Sequence, residues 1–309
     1  MKIVFMGTAQ FAVASLKALI DAGQTISGVV TQPDKPSGRR RKLSSSPIKE
    51  QALQHKLSLI QPVSIKSPDA LEQIQAWQPD LIVVVAYGQI IPATILELPP
   101  SGCINVHGSL LPRYRGAAPI QRAIMNGETQ TGVTTMYMDE GVDTGDMIMQ
   151  AAIPIDDLVD YGELQQQLAQ VGADLLLKTV AAIAAGTAPR EKQESSLATY
   201  APALKAADEL IQWEMKAVDI HNQIRALSPQ PGAFTRWQGS KLKVYKSRVA
   251  SFSGQGTPGL VEASGSRLVV QTGQGRLELL EVQKEGRKRM PIRDFMAGQR
   301  GASGIMLGS

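Results

Sequence analysis

From Leu81 to Ala86 the chain reads LIVVVA, with no polar side chain and a core of β-branched residues. Such a run suits a strand covered on both faces, which is the habit of parallel sheets flanked by helices. Neighbouring segments agree with that geometry. KIVFMG is a short strand ending in glycine, and FAVASLKALIDAG has helical spacing closed by Gly23. ISGVVTQ and GCINVHG return as strands. TGVTTMYMDEGVDTGDMIMQAAIPI gives two more around an acidic loop, and YGELQQQLAQVGADLLLKTVAAIAAG gives a long helix. The alternation predicts an α/β domain, a doubly wound, mostly parallel sheet over residues 1–188.

The segment 189–206, polar and weakly periodic, reads as a linker. From 207 to 309 the pattern changes. IQWEMKAVDIHNQIRAL reads as one helix, and KLKVYKSRV, RLVVQT and RLELLEVQ follow as short strands between Gly, Ser and Pro turns. A small C-terminal antiparallel β-barrel, OB-like, is the expectation. A chain of 309 residues is long enough for two such domains.

The charge divides along the same line: residues 1–206 carry 17 Lys/Arg against 19 Asp/Glu, and residues 207–309 carry 15 against 9. A basic module of that kind suits a polyanion, although a solvated basic face has the same composition. One cysteine, Cys103, excludes an internal disulfide framework and a cysteine-rich zinc site. With no unbroken apolar run of roughly 18 residues and no leader-like start, a cytoplasmic protein with no membrane contact is expected. Only Gly7 stands where a dinucleotide site needs G-x-G-x-x-G, so nicotinamide chemistry is disfavoured.

Chemistry is better placed at Asn105 and His107. The strand period of two sets both on one face, at the carboxyl end where open α/β sheets bind ligands. A solitary strand histidine also serves packing, so its company matters. MDEGVDTGD supplies Asp139, Glu140, Asp143 and Asp146 in a loop after another strand. Cys103 lies about 13 Å from His107 along a regular strand, too far for a nucleophile pair. An amide, an imidazole and a carboxylate suit acyl transfer to an amine: hydrogen-bond donors steady the developing oxyanion, and the imidazole moves the proton.

Asn105-Val-His107-Gly-Ser109-Leu110-Leu111-Pro112, then Arg113-Tyr-Arg115-Gly116, and later Asp139-x-Gly141-x-Asp143-Thr-Gly145, resembles the signature of folate-dependent formyltransferases. TQPDKP at 31–36 with Gly38-Arg39, ATYA at 198–201, and RALSPQPGA at 225–233 are similar to the branch of that family that formylates methionyl-tRNA.

The resemblance implies a formyltransferase-type Rossmann-like domain and transfer of formyl from 10-formyltetrahydrofolate to the α-amine of initiator methionyl-tRNA. Amine attack would be direct, through a tetrahedral intermediate, with no metal. It makes Asn105 and His107 the groups that polarise the formyl oxygen, and Asp143 the group that orients His107. Folate contacts fall on Tyr87, Gly88, Gln89, Ile90, Ser109, Leu110, Leu111, Pro112, Asp139 and Gly141. tRNA contacts fall on Arg39, Arg40, Arg41 and Lys42 in a loop expected to be mobile, and on Lys205, Lys241, Lys243, Lys246, Arg248, Lys284, Arg287, Lys288 and Arg289. A monomer is expected. Ala9-Gln10-Phe11 departs from the family, which has Pro and an acid before the Phe. Two other readings stay open, formylation of a small amine and an RNA-binding protein with an inactive catalytic domain.

Overall fold

The computed structural model describes residues 1–37, 42–252, 256–299 and 302–308. Its elements are, in order, β1 (Lys2–Gly7), α1 (Phe11–Asp21), β2 (Thr25–Val30), β3 (Lys35–Ser37), β4 (Lys42–Ser44), α2 (Pro47–Gln54), β5 (Leu59–Ile60), α3 (Pro68–Ala76), β6 (Leu81–Val85), α4 (Ala93–Leu96) and β7 (Cys103–His107). Then follow α5 (Pro119–Met125), β8 (Gln130–Tyr137), β9 (Met147–Pro154), α6 (Tyr161–Ala184), α7 (Ala217–Ala226), β10 (Ala233–Trp237), β11 (Ser240–Ser251), β12 (Val261–Ser264), β13 (Arg267–Gln271), β14 (Arg276–Lys284), β15 (Met290–Pro291) and α8 (Ile292–Ala297). Contacts sort the chain into two units. One holds Met1–Gly116, Thr131–Ile153 and Gln165–Ala201; the other holds Ala117–Gln130, Pro154–Leu164 and Pro202–Ser309.

In the first unit a seven-stranded sheet runs β5-β2-β1-β6-β7-β8-β9. The pairs β2–β5, β1–β2, β1–β6 and β6–β7 are parallel, and β8 turns antiparallel against β7. Every residue of β6 is buried, as its sequence requires. Val4, Met6, Ile82, Val84, Ile74 and Ile95 form the core on one side. Helices α2 and α3 start where Ser-Pro dictates. The hydroxyls of Ser46 and Ser67 accept from the N–H groups of Lys49 and Ala70, and proline fills the first turn. Helix α1 starts at Gln10 with no side-chain cap, at the Ala9-Gln10 departure.

Helix α6 is long and apolar enough, by length and composition, to cross a membrane. Counting unbroken apolar runs passes over it because its glutamines interrupt them. Its Leu168, Ala173, Leu176 and Val180 are buried, and Gly172 lies so close to the sheet that a β-carbon there would stand 3.1 Å from Val106. The loop expected to be mobile is flanked by an antiparallel pair, β3 with β4, in which Lys35 faces Ser44.

The second unit carries a six-stranded antiparallel sheet, β10-β11-β14-β13-β12 with β15 on β14. Its core gathers Trp237, Leu242, Val244, Leu268, Leu277, Leu279 and Phe295, with Trp237 meeting Phe295 edge to face at 5.2 Å. The helix expected over 211–227 is shorter, Ala217–Ala226. Backbone pairing wins over local periodicity there: the Ile211 N–H donates to Phe234 at 2.8 Å and the Ala217 N–H to Gln274 at 2.9 Å.

Glu278 is buried on β14, yet it receives Arg267 at 2.8 Å and Arg248 at 2.6 Å. The Arg267 hydrogen bond is the main reason its carboxyl falls from an ordinary 4.5 to about 2. A carboxyl depressed by folding adds stability above pH 4.5 that disappears as pH falls toward 2. Glu278→Gln should therefore lose about 1 to 2 kcal/mol at pH 7, a figure reduced because both arginines face solvent. Urea unfolding at pH 7 and pH 3 checks it, since the gap between variant and parent should narrow in acid.

Candidate active site

The carboxyl end of β7 carries Asn105 and His107 on one face, and the loop after β8 brings Asp143 to them across 38 residues of sequence. The Asn105 side-chain amide donates to Asp143 Oδ1 at 3.3 Å. His107 Nδ1 stands 3.5 Å from Asp143 Oδ2, and both side chains are largely buried. The other ring nitrogen, Nε2, donates to the Tyr114 carbonyl at 3.0 Å. With Nε2 donating, Nδ1 carries a lone pair and faces the carboxylate, so the gap between them can receive one proton. Asp143 Oδ2 also accepts the Gly116 N–H at 2.8 Å.

Local backbone explains the convergence. Asp143 sits at φ 54°, a left-handed conformation that aspartate tolerates better than most residues, and Tyr114 and Gly116 also have positive φ. The preceding turn is set by Asp139, whose Oδ1 accepts from the Gly141 N–H at 3.0 Å and the Thr144 hydroxyl at 2.6 Å. At Gly145 a β-carbon would land on the Tyr137 carbonyl oxygen, which accounts for the glycine of Asp-Thr-Gly. On the other side, the Ser109 hydroxyl donates to the Arg113 carbonyl at 2.7 Å. The Thr134 hydroxyl joins the Ser109 carbonyl to the Leu111 N–H. Leu111 packs with Met136 and Met147, and Pro112 follows a cis peptide bond. Gln150 donates to the Leu111 carbonyl at 2.8 Å.

The Tyr87–Ile90 turn follows β6. The Tyr87 ring belongs to the core and burial pushes its hydroxyl up to about 12. Its carbonyl accepts from the Thr8 hydroxyl and the Gln32 amide, both at 2.9 Å. Gly88 turns with φ 85°, the Gln89 side chain takes the Ile65 N–H at 2.8 Å, and Ile90 is 71 % exposed. Cys103 is buried and its thiol is raised to about 12 by burial, so it forms no thiolate. In the second unit, His221 faces the buried Ser247 hydroxyl at 2.9 Å, but its other nitrogen is taken by the Asp157 carbonyl. That arrangement ties strands and loop together.

The basic residues of the second unit are not equivalent. Arg248 is held by Glu278 at 2.6 Å. Arg289 is held by Glu281 at 2.6 Å and lies over Tyr245. Lys241 lies over the Phe234 ring and 4.0 Å from Glu209, and Lys243 donates to the Pro231 carbonyl at 2.5 Å. Lys246, Arg287 and Lys288 are exposed and Lys284 is half-buried. Among the described residues none of these four has an acidic partner within ion-pair distance. Lys205 is exposed, with its N–H on Asp208. Arg39, Arg40 and Arg41 lie outside the described residues, and Lys42 is placed only as the start of β4.

Sequence reasoning missed the groups that hold the trio: the Tyr114 carbonyl, the Gly116 N–H and, through them, the segment 193–201. Main-chain groups leave no mark on composition or spacing.

A formyl transferase family model matches residues 1–180, and a formyl transferase C-terminal domain model matches residues 203–300. The chain belongs to the formyl transferase family. It is 53% identical over 311 residues to a methionyl-tRNA formyltransferase of Syntrophomonas wolfei, covering 100% of this chain and 99% of the relative. It is 50% identical to one of Moorella thermoacetica, again with 100% and 99% covered. Among solved structures, WlaRD, a sugar 3N-formyl transferase, superposes with a TM-score of 0.67 at 23% identity, covering 93% of this chain and 99% of that one. The last comparison supports the fold alone.

Proposed function

We propose that this chain transfers the formyl group of 10-formyltetrahydrofolate to the α-amine of methionyl-tRNA, for translation initiation, as a monomer in the cytoplasm. Residues 1–188 carry the chemistry, 189–206 join, and 207–309 hold the RNA. The convergence of Asn105, His107 and Asp143 at one sheet edge carries the reading, with the relatives' full-length similarity behind it.

The Asn105 amide has two N–H groups, one of which is on Asp143, so the second is available to the formyl oxygen as negative charge grows there. Asp143 and His107 take the proton that the amine releases as its nitrogen bonds to the formyl carbon. The proton passes to the departing folate nitrogen when that carbon–nitrogen bond breaks. The Tyr87–Ile90 turn fits a flat ring system: Ile90 offers open apolar surface, and a β-carbon at Gly88 would meet the Gln32 amide at 2.6 Å. When bound, the folate supplies an activated one-carbon unit. Leu110, Leu111 and Pro112 would then flank it with Ser109, Asp139 and Gly141.

Purified chain given formyl donor and, in turn, methionyl-tRNA, uncharged tRNA and a small amine sugar should yield an N-formyl product on methionyl-tRNA alone. Product confined to the small amine would refute the tRNA assignment.

A further inference from the structure

The segment read as a linker carries a side chain tied to both halves of the active-site scaffold. The Gln193 amide nitrogen donates to the carbonyls of Asp143 and Gly145, both at 2.8 Å. Its amide oxygen accepts from Arg115 Nε at 3.0 Å and Nη2 at 2.8 Å. Arg115 is 5 % exposed, and among the described residues no carboxylate lies within ion-pair distance of it. A buried guanidinium answered only by a neutral amide is a costly arrangement. It persists here on the backbone that flanks the catalytic trio.

The same segment continues the clamp. The Thr199 hydroxyl accepts the Tyr114 N–H at 2.9 Å, the Thr199 carbonyl accepts the Arg115 N–H at 2.9 Å, and the Ala201 N–H donates to Arg115 at 2.7 Å. The turn so fixed presents the Tyr114 carbonyl to His107 and the Gly116 N–H to Asp143. Opposite it, Asp143 stands at φ 54°, where its neighbours must hold it. Gln193 joins the two turns whose spacing sets the 3.5 Å between His107 and Asp143.

We propose that Gln193 is a positioning residue for the Asp143–His107 pair, acting through the main chain of the two turns. The proposal rests on the reading that this pair moves the proton during transfer.

Gln193→Glu is the informative variant. A carboxylate still accepts from Arg115, now as an ion pair, but it cannot donate to the Asp143 and Gly145 carbonyls. In the full-length chain, kcat should fall roughly tenfold to a hundredfold, the scale of a small misplacement of reacting groups. KM for both substrates should stay within about twofold, and the thermal midpoint should stay near the parent's because the Arg115 partner survives. Gln193→Ala should match it in kcat and melt earlier. A second readout needs no turnover. The chain has only three histidines, His55, His107 and His221, so ring NMR signals are assignable, and those of His107 should move in Gln193→Glu while the other two stay. Static His107 signals, or a raised KM with unchanged kcat, would overturn the proposal. A parent chain that formylates nothing would sink only the functional reading, because the ring signals still judge Gln193.

Discussion

Asp143→Asn should lower kcat by about a hundredfold to ten-thousandfold, the range for removing a general base, while leaving KM for either substrate within about twofold. The substitution is nearly isosteric. Asparagine oxygen still accepts the Gly116 N–H, so the turn keeps the bond that Asp143 makes at 2.8 Å. What disappears is the carboxylate's charge and basicity beside His107 Nδ1, together with the Oδ1 acceptor of the Asn105 amide. His107→Gln should produce a loss of similar size, and the double variant should be little worse than either single, because on the proposed mechanism the two groups receive the amine's proton together and act as a unit. Asn105→Ala works on another part of the barrier, the charge on the formyl oxygen, but because its amide donates to Asp143 its effect of roughly a hundredfold should fall short of adding fully to that of Asp143→Asn. Steady-state kinetics on the singles and doubles separates these cases. Independent effects at positions 107 and 143 would show that the two do not share a proton.

Much of this site was legible because it rests on side chains at fixed spacing. Two residues along a strand put Asn105 and His107 on one face, and β7 keeps that register against β8, with His107 opposite Thr134. The apolar run of β6 likewise admits one location, the middle of the sheet. Where main-chain groups decide, the sequence is silent. Gln193 looks like any polar linker residue until its amide is seen between Arg115 and the Asp143 turn. The expected helix starts late, after Lys216, because Lys216 bridges to Gln274, a partner 58 residues away that no local periodicity reveals. Register also sorts the cations. Arg248 lies opposite Glu278 across β11 and β14, so it has a carboxylate that a reading by composition counts separately.

That sorting predicts which cations act on RNA. Charge reversal at Lys284, Arg287 and Lys288 together should weaken tRNA binding by about tenfold or more and flatten the plot of log K against log salt by about two to three units. The turn after β14 gathers all three, closed by the Arg287 N–H on the Lys284 carbonyl at 2.9 Å and by Gln283 on the Arg287 carbonyl at 2.8 Å. With no acidic partner among the described residues, their charge is free to displace counterions from phosphate. Arg248→Ala makes the counter-case. Its guanidinium already serves Glu278, so its loss should reduce the stability of the antiparallel domain and leave the salt slope nearly unchanged. Lys243 is intermediate, since a bond of 2.5 Å to Pro231 fixes its ammonium to the chain. Filter binding of methionyl-tRNA from about 50 to 200 mM salt reads both quantities. A slope that changed with Arg248→Ala and not with the triple reversal would assign the RNA face to the paired arginines and remove the turn from it.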